Sequence, residues 1–243
     1  MALFIGITSG KGGTGKSTLC CGLTNAFSNL GKSVLAVDLD QGLRCIDLMF
    51  GLDENIVYDL GDAMSGADLS DCIYSPKDNS NIHILPAPQK SGTITFEGLK
   101  NVVESVNNSF DVVIFDFSAG VDKTLYSALP KTTLFITVCN LDPVSVRDAS
   151  VMSEALPQTI KEPRLIVNRF NIEYIKDGIF SGVDDIIDSS GLRLLGLVPG
   201  SIELSTLSVH HKIPKRSNAF KSFERIAKRI LGDDVELPNP KKI

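Results

Sequence analysis

Gly10-Lys11-Gly12-Gly13-Thr14-Gly15-Lys16-Ser17 satisfies the pattern G-x-x-x-x-G-K-[ST], and it stands between the apolar run Leu3–Thr8 and a stretch of helical spacing over 16–30. Ordinary residue frequencies produce such a match in a chain of this length in roughly one sequence in a hundred. The order strand, loop, helix lowers those odds further. Gly12, Gly13, Thr14 and Gly15 let backbone N–H groups converge on phosphate oxygens with little Cβ obstruction, and the helix beyond adds the positive end of its dipole. Lys16 is placed to reach the β- and γ-phosphates, the Ser17 hydroxyl to ligate Mg²⁺, and Thr18 to donate to the α-phosphate. The stretch therefore predicts a nucleotide-phosphate site at the carboxyl end of the first strand of an α/β sheet.

Outward from the loop, short apolar runs of strand length alternate with stretches of helical spacing. Strands are predicted at Leu3–Thr8, Ser33–Asp38, Ile82–Leu85, Val112–Phe117, Thr133–Cys139, Arg164–Asn168 and Arg193–Val198. Several are nearly continuous in apolar residues, as strands covered on both faces require. Helices are predicted over 16–30, 57–64, 95–108, 143–156, 184–190 and 218–231. The expected class is α/β, a mostly parallel, doubly wound sheet of about seven strands with helices on both faces. Residues 1–235 are expected to form one P-loop ATPase domain, and 236–243, ELPNPKKI, a disordered tail.

Composition excludes several other classes. Apolar residues make up 43% and mean hydropathy is +0.12, too apolar for a disordered chain. No apolar run approaches the ~20 residues of a membrane-spanning helix. MALFIGITSG lacks the basic, apolar and small-residue regions of a secretory signal, so a cytoplasmic location is expected. Cys20, Cys21, Cys45, Cys72 and Cys139 form no C-x-x-C pair and no cluster with His, and they read as reduced, small hydrophobes. From His210 onward nine Lys and Arg face four Asp and Glu, which leaves −10 on the rest of a chain whose net charge is −5. So acidic a body argues against strong nucleic-acid binding.

The chemistry-bearing residues continue beyond the loop. Lys11 is a second lysine; two cations at one phosphate chain would partly duplicate each other, so Lys11 is expected to serve a different site. Asp38 and Asp40 close the second strand, where carboxylates face the ligand crevice of an open α/β sheet. Asp111-Val112-Val113-Ile114-Phe115-Asp116 is an apolar strand ending in an acid, the Walker B arrangement, with Asp116 as an outer partner of Mg²⁺. Asn168 ends a later strand, and its amide is suited to read an adenine edge by donating and accepting at once.

Together these motifs resemble the MinD/ParA family of deviant Walker A P-loop ATPases, the MinD branch most closely. K-G-G-T-G-K-S is that family's loop; Asp38 to Gly51 follows D-x-D-x-G-L-R-N-x-D-x-x-x-G; Phe117-Ser118-Ala119-Gly120 stands where S-P-A-G is usual. The resemblance implies that Lys11 reaches the nucleotide of a partner subunit in an ATP-sandwiched homodimer. By the same resemblance Asp40 positions the attacking water, Asp38 supports Mg²⁺ through its water shell, and the Gly120 N–H senses the γ-phosphate. Asn168 and the loop Val198-Pro199-Gly200-Ser201 would hold adenine, Pro199 among the contacts. Cys45 replaces the family's Asn, and Ser118 its Pro, which leaves the second loop less preset. Asp142 to Asp148 follows N-P-E-x-x-S-x-R-D, a helix associated with dimer and partner contacts.

The implied function is an ATPase that dimerises around two ATP molecules with Mg²⁺ and controls placement of the division septum through a protein regulator or activator of the MinC or MinE kind. Slow turnover is expected, because no Gln or Arg stands near as a built-in hydrolytic device. Relatives that position pili, secretion systems or flagella are one alternative, and ParA-type DNA-segregation ATPases another. The resembling chains continue into a basic amphipathic helix that binds anionic membrane. Here LGDDVELPNPKKI carries acids, two prolines and no apolar stripe, so this chain alone is not expected to bind membrane. The helix over 218–231, with Phe220, Phe223, Ala227 and Ile230 opposite Lys221, Arg225 and Lys228, is expected to pack on the sheet.

Overall fold

A computed structural model describes residues 1–157 and 162–240. Seven strands, β1 (Leu3–Thr8), β2 (Val34–Asp38), β3 (Ile82–Leu85), β4 (Val112–Asp116), β5 (Leu134–Asn140), β6 (Arg164–Phe170) and β7 (Arg193–Pro199), form one parallel sheet in the order β3-β2-β4-β1-β5-β6-β7. From β1 the chain winds first towards β3 and later towards β7, so the crevice at the carboxyl end of β1 is where such a sheet receives ligands. Side chains alternate across the sheet: Ile5, Ile7, Val112 and Ile114 join one apolar layer, while Phe4, Val113 and Phe115 join the other. Because both faces are covered, the strand sequences read as unbroken apolar runs.

The helices are α1 (Lys16–Asn29), α2 (Ile46–Met49), α3 (Leu60–Met64), α4 (Phe96–Val106), α5 (Lys123–Ala128), α6 (Pro143–Ala155), α7 (Glu173–Lys176), α8 (Val183–Ser190), α9 (Ile202–Ser205), α10 (Leu207–His210) and α11 (Asn218–Ile230). Helices α1 and α11 lie together over the first layer. A Cβ on Gly22 of α1 would sit 2.3 Å from the ring of Phe223, so the absence of a side chain there is what lets α11 approach. Phe220, Phe223 and Ile226 are buried in this contact, at roughly 1.5–3 kcal/mol each. The apolar face of α11 is therefore spent on the core, as its pattern predicts. Helices α4, α6 and α8 cover the opposite face through Leu99, Val102, Val146, Met152 and Ile186.

Every predicted strand is present within two residues of its expected bounds. The helix expected over 57–64 begins instead at Leu60, because Asp59 caps it by accepting from the Gly61 and Asp62 N–H groups while Asp62 returns the bond to the Asp59 N–H. Helix α5, capped by Asp122 on the Leu125 N–H, and the one-turn helices α2, α7, α9 and α10 have no counterpart in the sequence expectation. Of the tail 236–243, residues 241–243 lie outside the described residues, and 236–239 form no regular element.

Candidate nucleotide-binding site

The loop between β1 and α1 turns on two glycines in the left-handed region, Gly13 at φ +77° and Gly15 at φ +91°. Gly15 precedes the first turn of α1 with no side chain capping it, so the helix's N-terminal N–H groups face outward. A Cβ on Gly12 or Gly13 would meet nothing within 4 Å, which marks open space of the kind a phosphate chain fills. Thr14 is buried with its hydroxyl unpartnered, and Lys16 is only 7% exposed.

Two adjoining cavities run along the loop. The first, ≈ 450 Å³, is lined by Gly12, Gly13, Gly15, Lys16, Ser17, Thr18, Asp40, Leu43, Cys45, Ser118 and Ala119. The second, ≈ 530 Å³, is lined by Asn168, Arg169, Pro199, Gly200, Ser201, Ile202, Leu204, Ser205 and Ser208. Gly15, Thr18 and Met49 belong to both. A polyphosphate-sized cleft thus opens into a base-sized one, and the predicted loop residues are brought together with Asp40, Asn168 and Pro199. Met49, Arg169, Ser205 and Ser208 were not anticipated; they come from α2, where Met49 fills an unspecified position of the 38–51 pattern, from a bulge in β6, and from the α9–α10 segment.

Asn168 is also tied to the phosphate loop. Its Nδ2 donates to the Thr14 carbonyl at 2.8 Å, and a Cβ on Gly15 would fall 2.2 Å from that same nitrogen. The amide fastens β6 to the phosphate loop, so one of its donors is unavailable to a base, while the residue still lines the second cavity.

Parity along the strands puts Asp38 and Asp116 on the α1 side of the sheet, and they are paired residues in the β2–β4 register. Both are fully buried. Asp38 is well supplied with donors: Oδ1 accepts from the Asp40 N–H at 2.9 Å, and Oδ2 from the Cys45 and Ile46 N–H groups at 3.1 and 3.2 Å. It clamps the loop 39–46 by its main chain. Neither carboxylate oxygen of Asp116 has a hydrogen-bond partner. Burial first, and then the charge of Asp38, push its carboxyl far above the usual range, with Ser17 and Lys16 offsetting part of this. Burial likewise raises Asp38, against the pull of its three N–H donors.

Two buried acids side by side, one without partners, beside a hydroxyl at a helix N-terminus, suit a divalent cation that also takes oxygens from a nucleotide. Among the described residues no group of three His, Cys, Asp or Glu side chains could by itself hold a metal ion. Mg²⁺ fits this donor set: Ser17 as ligand, with Asp38 and Asp116 behind it.

A pH dependence follows. Asp116 keeps its proton in the folded state above the pH at which the unfolded chain releases it, so its contribution to stability is present at acid pH and is lost as pH rises through neutrality. The melting temperature of the nucleotide-free protein is expected to fall from about pH 5 to about pH 8, by roughly 2–4 °C per kcal/mol for a chain of this size. Asp116→Asn should flatten that slope and melt higher than the parent at the alkaline end. A parent melting temperature that climbs across the interval would sink the assignment.

The two remaining candidate residues lie outside both cavities. The Gly120 N–H, expected to face a γ-phosphate, donates instead to the Ser9 carbonyl at 3.0 Å. Lys11 is absent from the lining of either cavity; its Nζ lies 3.6 Å from Asp142 and 4.0 Å from Asp148 on the α6 side, about 39% exposed.

Comparison with known proteins gives one family. The CobQ/CobB/MinD/ParA nucleotide binding domain matches residues 5–214. The septum site-determining protein MinD of Bacillus subtilis is 35% identical over 240 residues, covering 95% of this chain and 90% of that protein. A chain of the MinC:MinD cell division protein complex of Aquifex aeolicus superposes with TM-score 0.87 at 30% identity, over 98% of this chain and 99% of its own. The septum site-determining protein MinD of Pyrococcus horikoshii, complexed with Mg-ADP, gives 0.77 at 26% identity over 95% and 96%.

Proposed function

We propose a function from the premise that this chain belongs to the CobQ/CobB/MinD/ParA nucleotide-binding family: it is a MinD-like, Mg²⁺-dependent ATPase that dimerises with ATP and takes part in placing the division septum. The observation that carries the chemistry is the unpartnered, buried Asp116, paired with Asp38 across β2 and β4 and near enough to Ser17 and Lys16 for both to offset the rise of its carboxyl. The loop N–H groups and Lys16 would hold the β- and γ-phosphates, and Ser17 would hold Mg²⁺, which would supply neutralisation of the phosphate charge. Asp40, in the lining of the phosphate cleft, orients a water for attack on the terminal phosphorus. Asn168, Pro199 and the Ser201–Ser208 segment enclose the base and ribose.

Lys11 belongs to the partner's site in this proposal. Two half-exposed carboxylates hold it outside both cavities, and ion pairs of that kind are worth about 0–1 kcal/mol, so leaving them costs little. The exposed Val144 and Val151 of α6, with Arg147 on the same helix, offer a surface for a protein regulator of the MinC kind, the type of partner named with the Aquifex aeolicus relative. Weak affinity for nucleic acid and dependence on a partner or a further segment for membrane attachment are part of the same proposal. No described helix is long and apolar enough to cross a membrane.

The test is Lys11→Ala. Calorimetry with ATP and Mg²⁺ should give a dissociation constant within about twofold of the parent, because such ion pairs contribute little, while light scattering shows a monomer where the parent with ATP is a dimer. A variant that dimerises normally defeats the trans role of Lys11. Phosphate release by the parent that is no faster than the uncatalysed background defeats the ATPase proposal itself.

A further inference from the structure

Gly120 is held from both sides. Its N–H donates to the Ser9 carbonyl at 3.0 Å, and its own carbonyl accepts from the Tyr126 hydroxyl at 2.8 Å. Its φ of +94° and the empty space around a would-be Cβ mean that no side chain fixes this conformation; the two hydrogen bonds do. Tyr126 cannot drift. It is 1% exposed on α5, edge-on to Phe117 at 4.8 Å and to Phe135 at 5.6 Å between ring centroids. Asp122 caps its helix one turn before it, at the end of the same loop. Burial pushes the phenol up to about 12, so the hydroxyl remains a donor at any physiological pH.

Ser118 and Ala119 line the phosphate cleft, whereas Gly120 does not. We propose that Tyr126 is a positioning residue: its hydroxyl latches Gly120 with the N–H turned to Ser9, and a terminal phosphate must draw that N–H away for the loop to close. The inference rests on the ATP-dependent switch proposed above. It also supplies a restraint in the loop where Ser118 leaves the backbone free of a proline ring. The latch sets the free-energy difference between nucleotide states with and without a γ-phosphate, and Tyr126 itself lies outside the lining of both cavities.

Tyr126→Phe keeps the ring in its aromatic nest and removes only the hydroxyl. In the nucleotide-free protein the Gly120 amide is expected to exchange with solvent about fivefold faster, measured by NMR-detected hydrogen exchange, the factor that one neutral hydrogen bond supplies. Affinity for ATPγS should rise by a similar factor of about five, with affinity for ADP unchanged. Unaltered exchange at Gly120 overturns the latch. So does an equal shift for both nucleotides, which a merely structural role would give, or a loss of ATPγS affinity alone. A parent that binds neither nucleotide overturns the ATPase proposal instead, and the exchange measurement separates that outcome from failure of the latch.

Discussion

Lys16→Ala is expected to abolish nucleotide binding, with the dissociation constant for ATP rising at least a hundredfold. Its ammonium lines the phosphate cleft while the residue is almost wholly buried, so no neighbouring lysine can take its place; Lys11 is engaged on the α6 side. Charge-assisted hydrogen bonds are worth about 1.5–3 kcal/mol each, and two of them account for the hundredfold at about 1.4 kcal/mol per factor of ten. The backbone of α1 is untouched by the change, so circular dichroism should match the parent. Calorimetry with ATP and Mg²⁺ decides the matter: binding within tenfold of the parent would remove Lys16 from the site.

Asp40→Ala separates binding from turnover. The loop that carries Asp40 is fastened by main-chain atoms, its N–H to Asp38 and its carbonyl to the Leu43 and Arg44 N–H groups. Alanine keeps all of these and deletes only the carboxylate that faces the cleft. Losing a group that positions and deprotonates water costs about 10²–10⁴ in rate, whereas binding should hold, because the loss falls on the transition state. Single-turnover phosphate release is expected to slow by that factor while the ATP-bound dimer persists in light scattering. Hydrolysis at the parental rate would release Asp40 from its role.

The sheet was legible because each strand is buried on both faces, and runs such as VVIFD carry that burial directly into sequence. Long helices were legible for a similar reason, since two or more turns display their period. Helices α2, α7, α9 and α10 have four residues each, too few to show a repeat, and α2 owes its start to Asp38, eight residues upstream of Ile46. The phosphate loop could be read because its function is built by consecutive residues. The base cavity could be read only in part: Met49, Arg169 and Ser208 arrive from three segments, and their chain positions do not announce a common wall. Asn168 shows the limit most plainly. An amide can donate and accept, and only its bond to the Thr14 carbonyl, 154 residues away in sequence, shows where one donor goes.

The pairing of Asp38 with Asp116 in the β2–β4 ladder has a consequence for how this molecule can change without failing. The two carboxylates are spaced by hydrogen-bonded strands, so the ruler between them is the sheet itself, and side chains in the loops that follow can change as long as the main-chain donors to Asp38 stay in place. A slip of one residue between the strands would instead turn one acid into the aliphatic layer on the far face. Loops 39–45 and 117–122 are therefore the natural places for grafting a new timing or a new partner into this scaffold, while β2 and β4 tolerate no change in length upstream of their acids. Segments exchanged between relatives at those loops should carry their kinetics with them and leave the two carboxylates where they are.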